Sequence, residues 1–80
     1  MKEIEKKVCG LIAAVWLSGL DFSKKGELQV SIFEMLGAAK DKDERLFVRK
    51  YREALDLADV DTGLVPKLAV TAAEFAVLLD

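Results

Sequence analysis

Histidine and asparagine are both missing from this 80-residue sequence. Without an imidazole the chain lacks the commonest general base and the commonest zinc ligand, and no Ser-His or Cys-His pair can be assembled. The chemistry left is that of carboxylates, lysines, one tyrosine and one thiol, so a non-enzymatic protein is expected, with no cofactor and no metal site. A single cysteine, Cys9, excludes an internal disulfide. Lys6 and Lys7 stand close enough in sequence to lower its pKa. Its spacing to Ala13 and Trp16 is nonetheless that of a packing position, which favours a buried structural thiol, a reducing compartment and a cytoplasmic protein.

A strong charge of either sign is also missing. Twelve basic and fourteen acidic residues leave a net charge of −2, neither the cationic field of a dedicated nucleic-acid binder nor the acidity of a disordered tail. There is no long apolar run either. Val8 to Leu20 is the greasiest stretch, but Ser18, Gly19 and Asp21 interrupt it short of the ~20 residues that cross a bilayer. Glu3 and Glu5, with no small-x-small site beyond, argue against a signal peptide, so no membrane partner is expected. Asp59-Val60-Asp61-Thr62-Gly63 opens like a calcium loop, yet its glycine falls one place early and Val70 stands where the bidentate glutamate belongs. Turn and capping chemistry accounts for those aspartates.

What the chain has in plenty is apolar side chains, 52% of its residues, although a domain this small keeps a large fraction of its surface wet. Wound as a helix from Lys2 to Ser18, the amino-terminal stretch lines up Ile4, Val8, Leu11, Ile12 and Val15. Cys9, Ala13, Trp16 and Leu20 make a second apolar row, so this helix is expected near the middle of the fold, with Gly19 giving a left-handed C-terminal turn. Asp21 or Ser23 should cap a second helix, Lys24 to Ala39, with Leu28, Ile32, Met35, Leu36 and Ala39 inward. Gly26, Val30, Phe33 and Gly37 line its back. Alternation over Leu28 to Ile32 offers a competing strand pattern.

Asp41 and Glu44 form a candidate capping box for a third helix that reaches about Asp59. Phe47, Val48, Tyr51, Ala54, Leu55 and Ala58 should face inward, with Leu46 and Leu57 on a flank. Pro66 interrupts the segment after that helix, and Thr71-Ala72-Ala73-Glu74, with Val70 and Phe75 at the staple positions, predicts a short last helix from Ala72 to Leu79.

Together these elements predict an all-α fold, a compact bundle of about four helices, three long and one short and C-terminal, in one domain over residues 1–80. The apolar surplus points to a protein–protein interaction module of adaptor or inhibitor type. A homodimer covers such a surface most simply, because a two-fold interface uses one patch twice, and a different protein is the other candidate partner. The partner-binding residues expected are Trp16, Leu17, Leu20, Val30 and Phe33, with Leu46 and Leu57 as a further group. The alternative is a small nucleic-acid-binding regulator that lays Arg45, Arg49 and Arg52, with Lys42 and Lys40 ahead of them, along a phosphate backbone. Against it stands an ordinary solvated helix face in which Arg52 pairs with Asp56.

Overall fold

The computed structural model describes residues 2–59 and 63–80. The middle of the Asp59–Gly63 turn, and with it the calcium-loop comparison, lies outside them. Four helices succeed one another: α1 (Lys2–Leu17), α2 (Phe22–Lys40), α3 (Glu44–Ala58) and α4 (Leu64–Ala76), the last running into a 3₁₀ turn at Val77–Leu79. The all-α bundle expected from the sequence is the fold observed. Among the described residues there is no strand, so the 3.6-residue period of α2 prevails over the alternation at Leu28 to Ile32. No helix among them is long and apolar enough to cross a membrane.

The first helix is not the middle of the bundle. α2 and α4 touch each other, and α1 and α3 each pack against both. α1 buries one stripe, Val8, Leu11 and Val15, while Cys9, Ala13 and Trp16 of its second row remain exposed. The fully buried large side chains are Val15 from α1, Leu28, Ile32 and Met35 from α2, and Leu68 and Phe75 from α4. Val48, expected inside, is instead exposed, because α3 turns only Phe47, Ala54 and Ala58 fully into the core.

Helix ends show where local chemistry rules. Ser18 closes α1: its backbone N–H and its Oγ both donate to the Val15 carbonyl, at 3.2 and 2.6 Å. None of the described glycines has a positive φ, so Gly19 supplies no left-handed turn. Lys25 Nζ, reaching over from α2, donates to the Trp16 carbonyl at 2.9 Å, which places a cation at a helix end whose own last turn carries none. Asp21 caps α2 as expected, accepting from the Lys24 N–H at 2.8 Å.

The corner between α2 and α3 uses a different aspartate from the one predicted. Asp43, not Asp41, caps α3, its Oδ1 accepting from the Leu46 N–H at 3.1 Å. The Asp43 N–H donates back to the Ala38 carbonyl and the Lys42 N–H to that of Ala39, the paired bonds of a Schellman motif. Lys42 takes the left-handed position of that motif, with φ 58°. One residue therefore ends α2 and starts α3, which leaves no slack in the turn.

The Thr71 capping box does not start a helix. α4 runs without a break from Leu64 to Ala76, and Thr71, buried inside it, donates its hydroxyl to the Lys67 carbonyl at 2.9 Å. Pro66 is tolerated because it lies in the first turn, where an amide has no intrahelical acceptor to lose.

Two substitutions test the corner. Lys42→Gly removes the Cβ penalty of the left-handed backbone and should stabilise the protein by roughly 0.5–1 kcal/mol. Asp43→Ala should destabilise it by about 1–2 kcal/mol. Both are read from urea unfolding midpoints, and a Lys42→Gly variant no more stable than wild type would show that the turn carries no strain.

Candidate protein-interaction surface

At about 100° of rotation per residue, Phe22, Gly26, Val30, Phe33 and Gly37 fall on one line of α2, opposite its buried stripe of Leu28, Ile32 and Met35. This outer line is a crest with a groove on either side. Towards α1, Phe33 and Leu36 face Val8, Cys9, Ile12 and Ala13 across a trough of about 590 Å³, with Glu5 and Lys40 also lining it. Towards α3, Gly26, Val30 and Leu57 line an open trough of about 900 Å³, which Phe22, Glu27, Glu53 and Asp56 border.

The candidate residues separate on this geometry. Leu17 is the most exposed large apolar residue among those described, at 88%, and Val30 and Phe33 stand on the crest, about half exposed. Trp16 is 37% exposed but already engaged: its Nε1–H donates to Gln29 Oε1 at 2.6 Å, and its ring meets Phe22 edge-on with centroids 5.5 Å apart. Leu20 contributes no surface. The turn after Ser18 folds it into the core, where it is 6% exposed. Leu57 lines the α2–α3 groove, whereas Leu46 packs partly against the core elsewhere on α3, beside Arg45 and Arg49. Val30 and Leu57 are thus brought together, and Leu46 is not with them.

Sequence reasoning missed Phe22, 80% exposed at the start of α2. Its signal was its place immediately after the Asp21 cap, where a helix has begun but the core-facing period has not. Cys9 corrects the expectation of a buried thiol, since only one stripe of α1 is covered. Val70 and Val77 are further exposed apolar residues near the carboxyl terminus.

Arg45, Arg49 and Arg52 are exposed on one face of α3, and Lys42 is exposed in the corner before it. No ion pair joins Arg52 to Asp56 among the described residues. The arginine line runs on into Asp56 and Asp59, so the basic strip is two turns long. Among the described residues no three cysteine or carboxylate side chains gather as metal ligands.

Lys50 ties α3 to α2. Its Nζ lies 3.1 Å from Glu34 on α2 and 3.2 Å from Glu53 on its own helix. The hydrogen bond to Glu34, then that to Glu53, holds the ammonium above its ordinary pKa of 10.5. A raised lysine pKa adds stability that is fully present below the unfolded value and is lost as pH rises through the folded one. The stability difference between wild type and Lys50→Met, from urea midpoints, should therefore be constant from neutral pH to about pH 10 and close above it. A difference that persists unchanged at higher pH would mean that Lys50 acts through its aliphatic stem alone. Comparison of this chain with protein-family models, with curated proteins and with solved structures gives no match.

Proposed function

We propose that this protein is a small non-enzymatic protein–protein interaction module that self-associates through the apolar surface shared by α1 and α2. The observation that carries the reading is the run of Leu17, Phe22, Val30 and Phe33, large apolar side chains left in water on neighbouring elements while the bundle behind them is filled. A standard interface removes about 800 Å² from each partner, about a sixth of the 4987 Å² that one copy exposes. A two-fold contact along the crest of α2 supplies such an area from one patch used twice. The lone exposed Cys9 suits a reducing compartment, and we place the protein in the cytoplasm.

Exposed arginines favour a second reading, a nucleic-acid-binding regulator acting through Arg45, Arg49 and Arg52. It ranks lower because the strip is short, ends in carboxylates and belongs to a chain of net charge −2.

Absolute mass from light scattering, over a hundredfold range of concentration, tests the first reading. The wild type is expected to approach twice the monomer mass, and Leu17→Glu and Phe33→Glu to give folded monomers, since neither side chain is needed in the core. A wild type that stays monomeric at about 1 mM, a concentration at which even very weak association is populated, overturns it. Salt-sensitive binding of a duplex oligonucleotide, lost in Arg49→Ala, would support the second reading in its place.

A further inference from the structure

The two grooves beside α2 differ in their electrostatics. The α1 side carries one acid and one base, Glu5 and Lys40. The α3 side carries three carboxylates, Glu27, Glu53 and Asp56, and among the described residues no basic one lines it. Lys50 does not neutralise that rim. Its single ammonium is shared between Glu53 and Glu34, which lies outside the groove, so Glu53 is only partly compensated, and neither Glu27 nor Asp56 has an ion-pair partner among the described residues. Acid thus borders a trough whose apolar lining includes Gly26 and Val30 from the α2 crest and Leu57 from α3, with Ser23 and Ser31 beside them.

Gly26 lowers the crest on the α2 side of the groove. A Cβ added to it would meet nothing within 4 Å, so no packing inside the chain requires glycine at this helical position. Relative to alanine it costs the helix about 1 kcal/mol. What its bare backbone provides is a low wall on the α2 side of the groove, over which the ridge of a third helix can seat.

We propose that the α2–α3 groove is a docking site for a basic amphipathic helix of a partner protein. The partner's apolar residues lie on Gly26, Val30 and Leu57, and its lysines or arginines face Glu27, Glu53 and Asp56. The proposal rests on the interaction-module reading and shares Val30 and the crest glycine Gly26 with it, but Leu17 and Phe33 lie outside the groove, so variants at those two residues test association separately from docking.

Fluorescence anisotropy with two labelled peptides of about 15 residues, long enough for some four helical turns, tests it. One is an amphipathic leucine–lysine helix and the other its leucine–glutamate counterpart. The basic peptide is expected to bind wild type, and Phe33→Glu at least as tightly. Binding should weaken at least about tenfold, the equivalent of 1.4 kcal/mol, in the double variant Glu27→Lys/Asp56→Lys and in Gly26→Leu. Both variants should keep the wild-type circular dichroism, because they alter exposed carboxylates or fill open space. The acidic peptide should not bind. Failure of the basic peptide to bind, or undiminished binding to Gly26→Leu, overturns the proposal, the latter because it would show charge attraction without the groove. Binding lost only in Phe33→Glu would move the site to the α1 side and overturn it too. A wild-type mass that grows beyond a dimer and is reversed by Lys67→Glu would put a second copy in the groove, through the Lys6, Lys7 and Lys67 that surround Val70, and would equally overturn it.

Discussion

The fold depends on one thin shared interior, with α2 and α4 as the pair that both other helices pack against. Val15 of α1, Leu28, Ile32 and Met35 of α2, and Leu68 and Phe75 of α4 are the large side chains with almost no access to water, and burial of each such group is worth about 1.5–3 kcal/mol. α1 and α3 each lie against that pair, and each contributes a single stripe. An interior shared by four helices of 13 to 19 residues is thin. Once one stripe of each helix is inside, a helix that is apolar on two faces must leave the second face in water.

That limit explains the principal error in reading α1 from sequence. Its circumference is so apolar that a central position follows from composition, yet centrality is decided by how many helices pack on a helix, three on α2 and on α4 but chiefly those two on α1, a property no single segment encodes. The helices themselves were legible: four elements, the Asp21 cap and the buried stripe of α2 agree with periodicity and capping chemistry. The candidate surface was legible in part. Val30 and Phe33 stand opposite Leu28 and Ile32 by helical geometry alone, but Leu20 is drawn inside by a turn whose course is set by Ser18.

The failures at helix ends share one cause. Thr71 and Glu74 have the spacing of a capping box, but the same hydroxyl can bond the carbonyl four residues back when the backbone is already helical. Which bond forms depends on whether Leu64, Leu68 and Phe75 can be buried together, and a continuous α4 allows all three. Lys42 is the converse case. Glycine is the residue expected at a left-handed corner, and Gly19 was the candidate, but the tight junction of α2 with α3 places the strained position on a lysine. Tertiary packing overrode a local preference at both sites.

α2 carries fold and surface on opposite faces, which decides how function can be separated from stability. A change at Val30 or Phe33 leaves the stripe of Leu28, Ile32 and Met35 untouched. Trp16 does not allow that separation. Its indole N–H is bonded to Gln29, its ring edge meets Phe22, and its carbonyl accepts from Lys25, so it holds the end of α1 to the start of α2. Loss of Trp16 would loosen the frame on which Phe22 stands, and any effect on association would be mixed with an effect on folding. Tryptophan is the residue an interface search selects first on general grounds. In this bundle the exposed Leu17 beside it and Phe33 on the crest are the residues at which association can be altered while the fold stays constant.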